Sequence, residues 1–354
     1  MAIISDDEGL GKKVKKNPII KPETIEYDNT FENSIRPKDF DSYIGQGALK
    51  ETLKITLEAA IKRGKPLDHL LFYGPPGLGK TTIAGVIASQ MGVEIRITSA
   101  PALERPRDII GILMSLKGGE ILFIDEIHRL NKVAEEILYP AMEDFTLDMT
   151  TGKSQTAKTL RVPLPKFTLI GATTKAGELS SPLRDRFGMI HRLEFYTVEE
   201  LAQVVMRTAK ILETEVTEEG AKAIAMRSRG TPRIANRLVK RVSDFALVKY
   251  DGVIDKKVAN ESLDILKIDE FGLDNTDRNL LNLIIEKYDG GPVGIETIAA
   301  ALSEDVRTIE DVCEPYLLQA GLLQRTPRGR KVSPEGYRHL GIKMPSEQRR
   351  LFED

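Results

Sequence analysis

Short apolar runs alternate with longer runs of helical period through residues 48–194. This pattern predicts a buried parallel sheet with flanking helices, an α/β fold. The predicted strands are residues 69–73, 93–98, 121–124 and 167–172, and the predicted helices are residues 48–63, 82–91, 109–116 and 133–144. In the first of these helices, the expected buried face is Leu49, Leu53, Ile55, Leu57 and Ala60.

The pattern changes near Glu194. Residues 197–250 carry only helical periodicity, and a short helix is predicted at residues 255–267. Three more helices are predicted at 274–288, 294–302 and 308–320, followed by extended segments at 322–326 and 329–333. Helices followed by a small β-wing are typical of a winged-helix domain.

Composition excludes several classes of protein. The 354 residues have a net charge of −2, so a nucleic-acid surface would have to be local. Cys313 is the single cysteine, which excludes an internal disulfide. The four histidines are scattered without metal-ligand spacing, so we expect no zinc site. No apolar run is long enough for a membrane span and no signal core is present, so we expect a cytoplasmic protein without a membrane partner.

Residues Gly74–Thr81 fit the pattern G-x-x-x-x-G-K-[ST] between a predicted strand and a predicted helix. Gly77 and Gly79 free the backbone so that its N–H groups can surround phosphate oxygens. Lys80 is the expected charge for the β- and γ-phosphates, and the Thr81 hydroxyl is an expected Mg²⁺ ligand. A glycine-rich turn without this function would not be expected to have a buried strand directly before it and a helix directly after it.

A second group of polar residues follows neighbouring buried strands. Asp125 and Glu126 end one apolar run, and Thr173 and Thr174 end the next. Because parallel strands end at one edge of the sheet, we expect these side chains near the phosphate loop. Asp125 would organise the Mg²⁺ shell, Glu126 would polarise the attacking water, and a threonine would hold that water.

Three arginine-bearing segments each have a structural and a functional interpretation. Arg184 and Arg186 lie on a short turn and are either solvated charges or a finger that reaches a neighbour's γ-phosphate. Arg233 lies near a helix start, an unfavourable place for a cation, and is either a solvated arginine or the partner of a bound phosphate that offsets this repulsion. The wing and the residues after it carry a basic cluster that suits DNA phosphates or is simply a charged turn, namely Arg325, Arg328, Arg330, Lys331, Arg338 and Lys343.

Two other segments have open interpretations. Residues 147–165 predict a β-hairpin, either packed on the core or exposed for a partner with Leu160 and Val162 as contacts. The lysines at positions 12–16 belong to a polar tail that is either solvated or close to nucleic acid.

Six blocks closely resemble the RuvB family of bacterial Holliday-junction branch-migration motors, which are AAA+ ATPases. The resemblance runs from about Ile35 to Ile342. It implies an AAA+ core (31–195), a helical lid (196–268) and a winged helix (269–342), with tails at 1–30 and 343–354. The blocks are Gly74–Thr81, Leu122–Arg129, Gly171–Gly177, Ser181–Gly188, Gly230–Arg237 and Gln324–Arg330.

The resemblance also implies ATP and Mg²⁺ as cofactors, a homohexameric ring, four-way junction DNA as substrate, and RuvA and RuvC as partners. It implies catalytic or ATP-binding roles at particular residues, with Thr174 as sensor 1, Arg186 as arginine finger and Arg233 as sensor 2. It implies RuvA contacts on the hairpin and DNA contacts at Arg325, Arg330 and Arg328. The family's arginine at the position of Val306 is absent, and Arg307 is its neighbour. The remaining implied nucleotide contacts are Ile35, Arg36, Gly77, Gly79, Lys80, Thr81, Thr82, Glu143, Asp144, Phe145 and Tyr196.

Two alternatives stay open on the residues alone. A clamp-loading or protein-remodelling AAA+ ATPase would share the core and lid but would not need a basic wing. A nucleotide-gated transcription regulator would share the winged helix but would not need Glu126 and Arg186.

Overall fold

The structure, a computed structural model, describes residue 32, residues 34–151 and residues 158–345. Contacts divide the chain into an N-terminal unit of residues 1–36 and a main unit of residues 37–354. In the N-terminal unit, Ile35 is buried and Arg36 is half-buried. The predicted tail of residues 1–30, the residues after 345 and the tip of the predicted hairpin at 152–157 lie outside the described residues.

A five-stranded parallel sheet forms the centre of the core domain, in the order β2-β3-β6-β1-β7. Strand β7 is not among the predicted strands, because it is a short edge strand whose residues alternate between half-buried and exposed. The strands of the described residues are β1 (Leu70–Tyr73), β2 (Ile95–Ser99), β3 (Ile121–Asp125), β4 (Thr146–Thr151), β5 (Lys158–Pro163), β6 (Thr168–Thr173), β7 (Met189–Arg192), β8 (Glu215–Val216), β9 (Val253–Ile254), β10 (Leu323–Thr326) and β11 (Gly329–Val332).

The apolar runs of the central strands are explained by burial on both faces of the sheet. Successive side chains of a strand point to opposite faces, and in β1 Leu70 and Phe72 join one hydrophobic cluster while Leu71 joins another. The first cluster continues into the lid, and the second packs under the helix Lys132–Glu143. The sheet is therefore packed on both faces. This packing fixes the position of the edge at which the strands end in polar residues.

Helices cover the sheet and confirm the predicted pattern with one error. Leu49, Leu53, Leu57 and Ala60 are buried as expected, whereas Ile55 is 66% exposed. Ile55 is two residues from both Leu53 and Leu57, about 200° around the helix from each, and so falls on the opposite face. The helices of the core are Gly47–Arg63, Lys80–Met91, Pro106–Ser115, Lys132–Glu143 and Ser181–Arg184. None of the helices in the described part of the chain combines the length and apolar character needed to cross a membrane.

The lid is helical except for one small parallel pair, β8 with β9, which the helical periodicity of residues 197–250 did not predict. Each strand has two residues, too few for an alternation to be visible in the sequence. The lid helices are Val198–Ile211, Glu218–Met226, Pro232–Lys249 and Lys256–Ile265.

The C-terminal domain has the predicted winged-helix order, with β10 and β11 antiparallel. The predicted helix 308–320 is interrupted, because a π-helical turn at Ile309–Cys313 separates Val306–Thr308 from Glu314–Gln319. A last helix, Pro334–His339, was not predicted. The first two helices of the domain are Asn275–Tyr288 and Ile295–Leu302.

One buried ion pair connects the lid to the winged helix. Arg229, at a positive φ of 52° in the lid, places Nη2 2.5 Å from Asp277 and 3.3 Å from Asp274. Its Nε donates to the carbonyl of Gly272 in the connection. Asp277 is 1% exposed, and burial raises its pKa from 3.8 to about 6 although Arg229 opposes the rise.

We predict that Arg229→Ala destabilises the protein by about 3–5 kcal/mol at pH 8, because it leaves a buried carboxylate without its cation. A raised pKa means that the folded state binds the proton more tightly, so the stability from Asp277 is complete below pH 3.8 and is lost as pH rises through about 6. Removing Arg229 enlarges that loss. Urea unfolding should therefore show a smaller defect at pH 5 than at pH 8.

Arg227→Ala is the matched control. Arg227 is equally buried, but its partner Asp264 is 68% exposed and stays solvated when the arginine is removed. The defect of Arg227→Ala should not increase between pH 5 and pH 8. An equal defect of Arg229→Ala at both pH values would contradict the role assigned to Asp277.

Candidate functional site: the carboxyl edge of the sheet

The phosphate loop Gly74–Thr81 connects β1 to the helix that begins at Lys80. Gly77 and Gly79 have φ of +80° and +100°, values that residues with side chains rarely adopt. A Cβ at Gly77 would lie 2.7 Å from Thr231 Cγ2, and one at Gly79 would lie 2.9 Å from the hydroxyl of Tyr43. Both glycines are therefore required by conformation and by close approach.

Lys80 lies inside this loop. Its Nζ donates to the carbonyls of Gly74 at 2.7 Å and Pro75 at 2.9 Å, and the residue is buried. Burial lowers the pKa of Lys80, whereas the negative charges of Asp125 and Glu126 raise it. The ammonium group is thus held at the loop, close enough to both acids to interact with them.

Asp125 and Glu126 lie where β3 ends, at the edge that the phosphate loop occupies. Asp125 Oδ1 accepts a hydrogen bond from the backbone N–H of Glu126 at 3.0 Å. Glu126 has a φ of 49°, uncommon for a residue with a side chain, so the backbone turns sharply where the strand ends.

Thr174 and His128 both contact Glu126. Thr174 Oγ1 donates to Glu126 Oε2 at 3.2 Å, which brings together two residues predicted to act together. His128 Nδ1 lies 3.3 Å from the same oxygen and 2.8 Å from Thr173 Oγ1. No role was expected for His128 from the sequence, where its position two residues after Glu126 is the signal that could have found it.

Oxygen ligands for a divalent cation are present at this edge. The carboxylate of Asp125 and the hydroxyl of Thr81 are the donor types that Mg²⁺ prefers, and Mg²⁺ takes its remaining ligands from water and substrate phosphates. Among the described residues, no three His, Cys, Asp or Glu side chains form a metal-binding group. The residues therefore fit a cation that arrives with a nucleotide.

The lid contacts the phosphate loop directly. The backbone N–H of Arg233 lies 3.4 Å from the carbonyl of Gly77, and the hydroxyl of Tyr196 lies 3.4 Å from the carbonyl of Leu78. Burial raises the pKa of Tyr196 to about 12. Arg233 begins the helix Pro232–Lys249 as predicted, so its charge lies near a helix N-terminus beside the loop.

Arg186 is not a solvated charge on a turn. Its Nη2 lies 3.1 Å from Glu143, its Nη1 donates to the carbonyl of Pro182 at 2.6 Å, and its guanidinium lies 4.3 Å from the centre of the Tyr139 ring. Glu143 and Asp144 are exposed, and Phe145 is half-buried. The structure therefore joins Glu143 to Arg186, a pairing that the sequence did not predict.

The wing separates the predicted DNA residues into two groups. Arg307, Arg325 and Arg328 are exposed, and Arg325 lies 3.6 Å from Glu310. The Arg330 side chain is 9% exposed, and it binds Glu314 with Nε at 2.6 Å and Nη2 at 3.1 Å. These hydrogen bonds raise the pKa of Arg330. Arg330 is thus buried, whereas we expected an arginine on the surface of the wing at this position.

The predicted hairpin is present as β4 paired with β5. Leu160 is 56% exposed, whereas Val162 packs against the second hydrophobic cluster. The two residues share a face of β5, but only Val162 lies over the core. Leu160 is thus the more exposed of the two expected partner contacts, and Val162 is half-buried.

Comparison with known proteins matches three regions of the chain to domain models. Residues 35–193 match the model of the Holliday junction DNA helicase RuvB P-loop domain, residues 196–269 the RuvB AAA lid domain, and residues 270–341 the RuvB C-terminal winged helix domain. These models account for almost all of the chain between residues 35 and 341.

Full-length relatives and a solved structure point to the same family as the domain models. The chain is 58% identical over 354 residues, covering 100% of both, to the Holliday junction branch migration complex subunit RuvB of Crocosphaera subtropica. It is 61% identical over 323 residues to that of Rippkaea orientalis, covering 91% of this chain and 89% of the relative. The Thermotoga maritima RuvB Holliday junction branch migration motor has a TM-score of 0.81, with 50% identity over 88% of this chain and 100% of that chain.

The predicted family, the AAA+ and winged-helix fold and the predicted class of activity are thereby confirmed, and the clamp-loader and transcription-regulator alternatives are excluded. The P-loop domain implies nucleotide binding. The chain belongs to the RuvB family of Holliday junction branch migration motors.

Proposed function

We propose that the chain hydrolyses ATP with Mg²⁺ and uses the energy to move duplex DNA through a homohexameric ring, so that it drives branch migration of four-way junctions together with RuvA. The observation that carries the proposal is the convergence of Lys80, Asp125, Glu126 and Thr174 at one sheet edge beside the lid. The proposed domain bounds are 31–195, 196–268 and 269–342, with tails at 1–30 and 343–354. RuvC as a partner in junction resolution and a cytoplasmic location belong to the same proposal.

The hydrolytic step assigns a task to each residue. The water oxygen bonds to the γ-phosphorus while the bond from that phosphorus to the β–γ bridging oxygen breaks, and the products are ADP and inorganic phosphate. Glu126 accepts the water proton, and Thr174 helps hold the water. Thr81 and Asp125 would hold Mg²⁺, which neutralises phosphate charge. Lys80, Thr82 and the backbone of Gly77 and Gly79 would bind the phosphates.

Other nucleotide contacts come from the lid, the N-terminal unit and a neighbouring subunit. Arg233 and Tyr196 would sense the nucleotide from the lid side of the phosphate loop. Arg186 would leave Glu143 to stabilise charge on a γ-phosphate bound by the next subunit. Contacts from Glu143, Asp144 and Phe145, and from Ile35 and Arg36, complete the proposed ATP-binding set.

The lid loop offers a route from nucleotide to DNA. This lid loop is residues 229–233. Its residues Thr231 and Arg233 lie against Gly77 of the phosphate loop, and its Arg229 is paired with Asp277 of the winged helix. A change of the phosphate loop on hydrolysis would therefore move the lid and the wing together. Exposed Arg307, Arg325 and Arg328 would follow DNA phosphates with little dependence on sequence.

We predict that wild-type protein with RuvA dissociates a synthetic four-way junction when ATP is added, whereas Glu126→Gln binds ATP and stalls. The amide cannot accept the proton, so kcat should fall by about 10²–10⁴-fold while nucleotide affinity is kept. Junction dissociation on gels and phosphate release measure the two effects. Wild-type turnover without any dissociation of junctions would contradict the motor assignment.

We predict that Arg325→Ala/Arg328→Ala weakens duplex binding uniformly across sequences and lowers the slope of log affinity against log salt by about 1 per lost phosphate contact. Arg63→Ala, at an exposed arginine that ends the core helix Gly47–Arg63, is the control and should leave the slope unchanged. Arg330→Ala should mainly destabilise the fold, since it leaves Glu314 buried without a partner. A lowered slope in that variant would support the additional DNA contact predicted for Arg330.

We predict that Leu160→Ala weakens RuvA binding by at least about fivefold, the effect of losing a contact worth more than 1 kcal/mol. Ile55→Ala removes an equally exposed apolar side chain from the helix Gly47–Arg63 and serves as the control. Binding is measured by calorimetry, and basal ATPase activity should be unchanged in both variants. Equal RuvA affinity of the two variants would exclude Leu160 from the interface.

A further inference from the structure

We propose that His128 is a positioning residue for Glu126, holding one oxygen of that carboxylate so that the other faces the attacking water. The proposal rests on the assignment of Glu126 as the group that accepts the water proton. It concerns residues outside the phosphate loop, the sensors and the arginine finger.

The backbone after β3 brings His128 to Glu126. The positive φ of Glu126 reverses the chain, and the 3₁₀ turn Ile127–Arg129 follows at once. Residues two apart on an extended strand would be about 7 Å apart along the chain. The turn instead places Nδ1 of His128 3.3 Å from Oε2 of Glu126. The positive φ of Glu126 therefore brings the imidazole of His128 next to the Glu126 carboxylate.

The imidazole itself is firmly held. Its side chain is 7% exposed, and Nδ1 lies 2.8 Å from the hydroxyl of Thr173, which is fully buried at the end of β6. That hydroxyl also accepts a hydrogen bond from the backbone N–H of Lys175. His128 is thus fixed to two parallel neighbouring strands, and a group fixed in this way can restrict a flexible glutamate.

Both contacts of Nδ1 suit a hydrogen on that nitrogen, which is shared mainly with the hydroxyl of Thr173 at 2.8 Å and has Oε2 of Glu126 as a second, longer acceptor at 3.3 Å. A carboxylate oxygen only accepts hydrogen bonds, so a favourable contact between Nδ1 and Oε2 requires hydrogen on Nδ1. Thr174 donates to the same Oε2 at 3.2 Å. With Thr174 bonded to Oε2 and Nδ1 of His128 close to the same atom, the other oxygen of Glu126 is left to accept the water proton.

The other side of the ring faces a different carboxylate. Nε2 lies 3.8 Å from Glu178, an exposed residue that also lies 3.6 Å from the ammonium of Lys175. Both distances are long and both groups are partly solvated, so this side contributes little to the orientation of the ring. The contact through Nδ1 is the one that the proposal requires.

Two substitutions separate the two ring nitrogens. Asparagine places its amide near the position of Nδ1, whereas glutamine places its amide near that of Nε2. We expect His128→Gln and His128→Ala to lower kcat by about 10–100-fold, the effect of a small misplacement of a reacting group. KM and the affinity for a fluorescent ADP analogue should stay unchanged. His128→Asn should retain most of the wild-type kcat. Thermal midpoints identify any variant that fails to fold.

A double substitution tests whether His128 acts through Glu126. In the Glu126→Gln background, adding His128→Ala should cause no further loss, because the group that His128 orients is already absent. A full additional loss would overturn the proposal, as would equal activity of His128→Asn and His128→Gln. If Glu126→Gln alone keeps wild-type kcat, the assignment of Glu126 fails. If that variant is inactive and His128→Ala is fully active, only the role of His128 fails.

Discussion

The parallel register of β1, β6 and β3 is the constraint on which the rest of the site depends. Parallel strands end at one edge, so the phosphate loop after β1, Asp125 after β3 and Thr173 at the end of β6 must meet there. The pairing is fixed by side chains buried on both faces, since a shift by one residue would exchange the two faces of a strand. Catalytic geometry is therefore a consequence of core packing.

Contacts on that edge extend the site in two directions within the chain. One direction runs from the phosphate loop into the lid through Thr231 and Arg233, and on to the winged helix through Arg229 and Asp277. The other runs from Glu126 to His128 and Thr173 inside the core. The first direction joins the core, the lid and the winged helix, whereas the second restrains a single carboxylate.

The parts of the site predicted from the sequence are those with a local signature. The phosphate loop requires glycines at fixed spacing, and the acids directly follow a buried strand, so both were visible as patterns. The partners of Arg186 and Arg330 were not visible, because Glu143 and Glu314 are distant in sequence and only the folded chain pairs them. His128 is close to Glu126 in sequence, but its role depends on the backbone reversal at Glu126. A glutamate does not predict such a reversal.

The fold shows the same limit. Periodicity identified the long helices and the buried strands, whose residues alternate over several turns or form continuous apolar runs. It did not identify β7, β8 and β9, which have two to four residues and exposed or half-buried positions. Ile55 was assigned to the wrong face because an apolar residue was counted without checking its angle around the helix. Short elements that are stabilised by tertiary contacts have no recognisable pattern in the sequence.

Exposure of the partner decides which arginines can change contacts during a cycle. Arg229 and Arg330 are paired with carboxylates that are almost fully buried, and breaking such a pair costs about 3–5 kcal/mol. Arg186 is paired with exposed Glu143, a type of contact worth about 0–1 kcal/mol. In the proposed ring, the triphosphate bound by a neighbouring subunit would carry more charge than a single carboxylate and would replace Glu143. Arg186 is therefore suited to a contact that forms and breaks with each ATP, whereas the other two are suited to keeping their domains in place.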